Sequence, residues 1–245
     1  MKVSAIVNCS YEGLILKPAL ASALLSIEAS GFAQDCELIV VADCANKTTL
    51  AVLESYRERL SAVLRTDHGD LGMARNAGAA AARGELVLFL DGDDLWSRNW
   101  VGAAWDAHRE SPEQTILHPQ LVMRFGGCEP EILVQPDWRD PYFDPRGLVA
   151  RNHWISLCGV RRDLLIEIPY SRADALRGFG FEDWSWYAET VARGLRHAIV
   201  PDTVHFIRQK RTHSMQVEMA GFDRIPSFAF AEYLAADDAS RPYDL

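Results

Sequence analysis

Gly84-Glu85-Leu86-Val87-Leu88-Phe89-Leu90-Asp91-Gly92-Asp93-Asp94 decides the architecture, because an unbroken apolar run ends abruptly in three carboxylates. A short solid run of that kind, bounded by glycine and acid, reads as a strand buried on both faces of a parallel sheet. In open α/β sheets, ligands sit just beyond the carboxyl ends of such strands. Three acids at one strand end repel one another, and their hard oxygens suit a divalent cation, Mg²⁺ or Mn²⁺.

Working outward, the first hundred residues alternate apolar runs with helical patterns, which is the signature of βα units feeding a parallel sheet in an α/β protein. Strands are predicted at residues 3–8, 37–42, 62–65 and 86–90, and helices at 14–29, 48–59 and 71–82. Leu16, Leu20, Leu24 and Ile27 recur at three- and four-residue steps, so one stripe of the first helix faces the sheet. Asp70 is the expected N-cap of the third helix. A fourth helix is expected over 97–109, ending before Pro112. Glycine and proline then become frequent, and strands are expected at 115–125 and 131–135. Trp138, Tyr142, Phe143 and Trp154 either line a groove here or simply pack. Residues 181–193 read as a helix opened by acid and closed by Gly194, followed by a short strand over 197–200 and a last helix over 228–235.

The chain has 245 residues and a formal net charge of -9. That acidic balance argues against a nucleic-acid partner, whose affinity comes from Lys and Arg on phosphates. The five cysteines, Cys9, Cys36, Cys44, Cys128 and Cys158, include no C-x-x-C pair and read as reduced thiols of a cytoplasmic protein. Met1-Lys2-Val3-Ser4 runs straight into a strand, which leaves no room for a signal peptide, and no apolar stretch approaches the ~20 residues of a membrane span. Peripheral membrane association stays open.

Five motifs in order carry a resemblance: residues 3–12, residues 37–43, Gly72-Met73-Ala74-Arg75-Asn76-Ala77-Gly78, Leu90-Asp91-Gly92-Asp93-Asp94, and Gly180-Phe181-Glu182-Asp183-Trp184. With them the chain resembles the inverting family 2 glycosyltransferases of GT-A fold. The resemblance implies a single GT-A domain: a Rossmann-like nucleotide-sugar-binding half over 1–110, an acceptor-binding and catalytic half over 111–225, and a C-terminal helix and tail over 226–245, with helices on both faces of a mixed central sheet. It also implies a metal-dependent transfer of sugar from a nucleotide-sugar donor, UDP-linked by expectation, to a hydroxyl of a glycan or other acceptor.

The same resemblance assigns roles. Asp91-Gly92-Asp93 is the D-x-D motif, with Asp91 near the donor's ribose or sugar and Asp93 on the metal. A cation there acts as a Lewis acid toward the leaving nucleoside diphosphate. Asp43 faces the donor base and Tyr11 packs on it, although residues 7–10 depart from the family's usual wording and leave the register of Tyr11 and Glu12 open. Arg75 lies near the nucleotide or the first carboxylates. Asp183 is the base that takes the acceptor proton, with Glu182 in reserve. Residues 208–215 fold over the donor, so that His213 is a metal ligand and Arg208 or Arg211 a phosphate clamp.

Each assignment has a plainer competitor. The acids after the fourth strand can cap a helix, Asp43 can be a turn acid, Tyr11 a rim residue and Glu12 a helix-start acid. Arg75 can pair with Asp70 or Glu85 at the surface. An acid pair opening a helix is favoured by helix electrostatics alone, and a basic run is usually solvated. A sugar-phosphate nucleotidyltransferase and a non-catalytic sugar-nucleotide-binding or glycan-binding module are the competing functions. The first normally carries a Gly-rich basic loop after its first strand, which residues 9–16 do not offer.

Overall fold

The computed structural model describes residues 1–111, 114–127, 129–210 and 221–236. Strands β1 (Val3–Cys9), β2 (Cys36–Asp43), β3 (Ala62–Thr66) and β4 (Leu86–Asp91) are parallel, in the order β3-β2-β1-β4. Helices α1 (Leu16–Ala29), α2 (Lys47–Ser55) and α3 (Leu71–Ala81) form the crossovers between them. The solid apolar run of β4 is buried along Leu86–Leu90, as its composition requires. Asp70 caps α3, accepting the Met73 amide at 2.8 Å, and Asn46 caps α2 by accepting the Thr49 amide at 2.8 Å.

Beyond β4 the sheet becomes mixed. After β5 (Leu95–Trp96) and α4 (Trp100–Glu110) come β6 (Thr115–Gly126), β7 (Glu131–Val134), β8 (Gly159–Arg161), α5 (Arg162–Glu167), β9 (Phe179–Gly180), α6 (Glu182–Ala192), β10 (Arg196–Gln209), β11 (Asp223–Arg224) and α7 (Phe228–Ala236). Strand β8 runs antiparallel to β4, β6 antiparallel to β8, and β10 parallel to β6, so a nine-stranded sheet joins both halves among the described residues. No helix of the described residues is long and apolar enough to cross a membrane.

Two apolar layers sandwich the sheet. Alternate β1 residues Val3, Ala5 and Val7 pack with α1 and α4, whereas Ile6 faces α3 on the other side. A Cβ on Gly78 would lie 2.7 Å from Ile6 Cγ2, so glycine lets α3 sit directly on β1. Asn76 fixes the same helix sideways: its carboxamide donates to Tyr170 O at 2.8 Å and accepts from Tyr170 N at 2.9 Å.

Three differences from the sequence reading have local causes. The short strand expected at 197–200 extends through Gln209, because Pro201 and Asp202 form an irregularity inside one strand rather than ending it: Asp202 has φ 58° and the register shifts between Val200 and Val204. Strands β5 and β8 are two and three residues long, too short for periodicity to show. The helix expected from Ser97 begins at Trp100.

The aromatics of the second half divide. Trp154 is buried, stacked on His197 at 4.0 Å between ring centroids, with its indole N–H donated to Pro136 O at 2.8 Å. Phe143 packs against Trp154, and Trp138 lies under the Arg196 guanidinium at 4.3 Å. Tyr142 stands in solvent.

Candidate active site

The carboxyl ends of β1, β2 and β4 open into a cleft of about 1970 Å³. This is larger than the ~300–1,000 Å³ typical of one small-molecule site. Its floor is set by Arg75. The guanidinium has no exposed surface; it donates to Glu182 Oε1 at 2.8 Å and to both oxygens of Asp91 at 3.3 Å. One cation from α3 thus ties the end of β4 to the start of α6. Burial works against its charge, yet Asp91 and Glu182 hold its pKa above the ordinary arginine value. Burial likewise pushes the Asp91 and Glu182 carboxyls upward, and Arg75 pulls both back. The expected donor contact of Arg75 is therefore not what its position provides. The side chain lies beneath the cleft and organises carboxylates, which is the second of the two places the resemblance offered. The surface pairing with Asp70 or Glu85 does not form.

Asp93 and Asp94 share the acidic edge. Asp94 is buried and accepts the Arg208 amide at 2.7 Å; burial, reinforced by Asp91 and Asp93, drives its pKa well upward. Asp93 lines the cleft, where Lys210 Nζ lies 2.7 Å and Arg208 Nη1 3.5 Å from Oδ2. The plainer reading, an acid merely capping a helix, does not describe Asp91: its carboxylate faces Arg75 across the sheet edge, and α4 starts with no side-chain cap. The basic end of β10 meets the acids that follow β4, which brings Arg208, the expected phosphate clamp, to the cleft beside Asp93. Arg211 and His213 lie outside the described residues.

Asp183 occupies the first turn of α6, half-buried on the cleft wall. Oδ1 accepts the Trp184 amide at 2.7 Å and Oδ2 accepts Asn152 Nδ2 at 3.1 Å. Burial raises its pKa, with Arg75 opposing. Glu182, one residue earlier, points down into the ion pair with Arg75, so the two acids of the pair have separate tasks. Phe181 precedes them in the left-handed region at φ 58°, ψ 57°, a strained turn for a bulky residue that swings the helix start toward the cleft. Trp184 lines the cleft and donates to Leu148 O at 2.7 Å, whereas Trp186 belongs to the core. Asn152 went unnoticed in the sequence, where a lone Asn between Arg151 and His153 carries no motif.

At the carboxyl ends of β1 and β2, Asp43 ends β2 and lines the cleft, but most of its hydrogen-bonding capacity is used within the chain. Oδ1 accepts Thr66 Oγ1 at 2.8 Å and the His68 amide at 2.7 Å, and Oδ2 accepts the Asp70 amide at 3.2 Å. It orders the loop into α3. Tyr11 is 71% exposed on the rim. Glu12 reaches back to accept the Ser10 amide, and burial, with Asp93 adding to it, raises its pKa.

The donor set suits a hard divalent cation that keeps phosphate and water ligands. Asp93 presents one carboxylate to the cleft, and Mg²⁺-type ions commonly take only one or two from protein. No cluster of three or more His, Cys, Asp or Glu ligands occurs among the described residues, so a closed all-protein cage is not formed there.

The family model "Glycosyl transferase family 2" matches residues 4–167. The poly(ribitol-phosphate) beta-N-acetylglucosaminyltransferase TarS of Staphylococcus aureus is 43% identical over 61 residues, 24% of this chain and 11% of that protein. TuaG of Bacillus subtilis, a putative teichuronic acid biosynthesis glycosyltransferase, is 35% identical over 66 residues, 26% of each. The crystal structure of S. aureus TarS 1-349 in complex with UDP-GlcNAc superposes with a TM-score of 0.68 at 22% identity, covering 88% of this chain and 61% of that one. The matched segments thus span only 11% and 26% of the length of the two curated relatives, and the structural match, over 61% of the TarS chain, places this architecture in the GT-A fold. With the family model running over more than half of its residues, the chain belongs to glycosyl transferase family 2.

Proposed function

We propose that this chain is a metal-dependent, inverting glycosyltransferase that moves a sugar from a UDP-linked donor to a hydroxyl of a glycan or other acceptor, with Asp183 as the base. The observation that carries the reading is the pairing of two acidic stations in one cleft, Asp93 with its basic neighbours at the end of β4 and Asp183 at the start of α6, tied through Arg75. Family membership and the UDP-GlcNAc complex of TarS support the donor class.

Inversion needs one base on the acceptor side, opposite the leaving group. Asp183 fits that task because its partner Asn152 holds one oxygen while the carboxylate still faces the cleft, and burial raises its basicity. Glu182 does not compete, since it is committed to Arg75. Arg208 and Lys210 stand where a diphosphate's charge would be balanced. Asp93, with His213 a further candidate ligand, would hold a divalent cation, which would supply Lewis-acid stabilisation of the departing diphosphate. Arg211 joins Arg208 as a candidate phosphate clamp, and Tyr11 and Glu12 form the rim against which the nucleotide rests. The free thiols at Cys9, Cys36, Cys44 and Cys158 suit a cytoplasmic setting.

The test is Asp183→Asn, assayed against a panel of UDP-sugars with calorimetric UDP binding in parallel. Transfer is expected to fall by about 10²–10⁴-fold, the usual contribution of a general base, with UDP affinity kept. Full turnover in the purified variant would remove Asp183 from the reaction.

A further inference from the structure

His118 on β6 and His197 on β10 lie on one face of the sheet, because Ile116, two residues before His118, is the cross-strand partner of His197. Both are fully buried against α6, and the bond network assigns their protons. Thr190 donates its hydroxyl hydrogen to Tyr187 O at 2.9 Å, so toward His197 Nε2, 3.1 Å away, its oxygen accepts. His197 therefore carries its hydrogen on Nε2 and offers Nδ1 as the acceptor for His118 Nε2–H at 2.9 Å. His118 Nδ1 is left as a bare acceptor with no partner among the described residues. The couple is thus neutral, and its surroundings oppose a charge. The titratable groups acting on it are His205 on His118 and His153 on His197, and Tyr187 stands edge-on to both rings. No carboxylate among the described residues bonds to either imidazole, and burial holds both well below the ordinary histidine pKa.

Trp154 lies flat over both rings, its centroid 4.0 Å from His197 and 5.1 Å from His118, at 14° and 13° between planes. It belongs to a loop that is pinned next door: the Ile155 amide donates to Gln135 Oε1 at 2.8 Å, and Ile155 O accepts the Tyr187 hydroxyl at 2.6 Å. The same loop carries Asn152, whose Nδ2 holds Asp183 at 3.1 Å. We propose that His118 and His197 are positioning residues acting through Trp154: as neutral rings they seat the loop that presents Asn152 to Asp183, and on taking up a proton they release it. Lifting Trp154 exposes the imidazoles to water, where each titrates near about 6.5, so below that pH the opened loop binds protons that the closed loop does not. The hold is therefore complete above about 6.5 and weakens as pH falls. The proposal rests on the reading of Asp183 as the base only for its consequence in turnover.

Hydrogen exchange of the full chain without ligand tests it, following the amides of residues 152–156 at about pH 7.5 and about pH 5.5 with intrinsic exchange corrected for. Over this range each imidazole freed in the opened loop should multiply the open population by about ten. His118→Gln keeps a donor for His197 Nδ1 and cannot take up a proton. The rise in exchange on going to the lower pH is expected to be about tenfold smaller in His118→Gln than in the wild type. His197→Gln, which keeps the donation to Thr190, should show the same reduction from the other ring. Each protein is compared with itself, so a variant with a looser loop is read equally well. Equal rises in the wild type and both variants would overturn the proposal. So would a difference confined to the slowest-exchanging amides of β1, which would make the couple a contact that only global unfolding breaks. The exchange is read without substrate, so full turnover in Asp183→Asn would remove the base and leave the result on the loop standing.

Discussion

At the scale of single residues, the site depends on what each carboxylate's neighbours leave it free to do. Asp183 and Glu182 are adjacent in sequence and alike in chemistry, yet Glu182 is neutralised by Arg75 while Asp183 is steadied by the neutral donor Asn152. Asn152 favours the charged form of its partner. Asn152→Ala is therefore expected to raise the Asp183 pKa further above its ordinary value. A base of the kind proposed for Asp183 works deprotonated, so the acidic limb of the kcat profile should shift to higher pH, with activity lost earlier as pH falls and partly regained at alkaline pH. A pH-rate series measures this. An unshifted limb with uniformly lower kcat would reduce Asn152 to a packing role. The acids were legible in the sequence because type and motif coincide at Asp91, Asp93 and Asp183. Asn152 was not, because its meaning arises only when a loop thirty-one residues away is folded against α6.

At the scale of elements, Arg75 fastens three of them. Helix α3 is seated on β1 through Gly78 and clamped by Asn76, so its buried guanidinium is delivered between β4 and α6 with little freedom. Removing one partner of a buried ionic group leaves the others uncompensated, which typically costs about 3–5 kcal/mol. Arg75→Ala should lose stability on that scale in denaturant unfolding. Arg75→Lys should recover only part, since an ammonium cannot bond Asp91 and Glu182 together as the planar fork does. A variant as stable as the wild type would show that the three elements hold without the ion pair. The βα units of the first half were legible because long periodic segments and a buried strand dictate them. The second half was less so: β5 and β8 are shorter than any periodic signal, and the strand expected to end at Val200 continues past Pro201-Asp202 through an irregularity within β10.

For the whole molecule, the cleft gathers the acidic ends of β4 and α6 and the basic end of β10 in a chain of net charge -9. Lys210 and Arg208 offset Asp93 in the free protein. In the function proposed above, a nucleoside diphosphate would draw the same two cations and a divalent ion would draw Asp93, so each ligand would relieve the cost of binding the other. Such coupling is reciprocal. Mn²⁺ alone and UDP alone should each raise the melting temperature little, whereas both together should raise it much more. Saturation at about 100 times Kd contributes about 2.7 kcal/mol, which for a chain of this size corresponds to roughly 5–10 °C. EDTA should abolish the extra shift, and Asp93→Asn should remove it while leaving the ligand-free melting temperature close to that of the wild type, since its ion pairs are partly exposed and weak. An equal UDP shift with and without EDTA would show that the diphosphate is held by the basic end of β10 alone, and that Asp93 carries no metal.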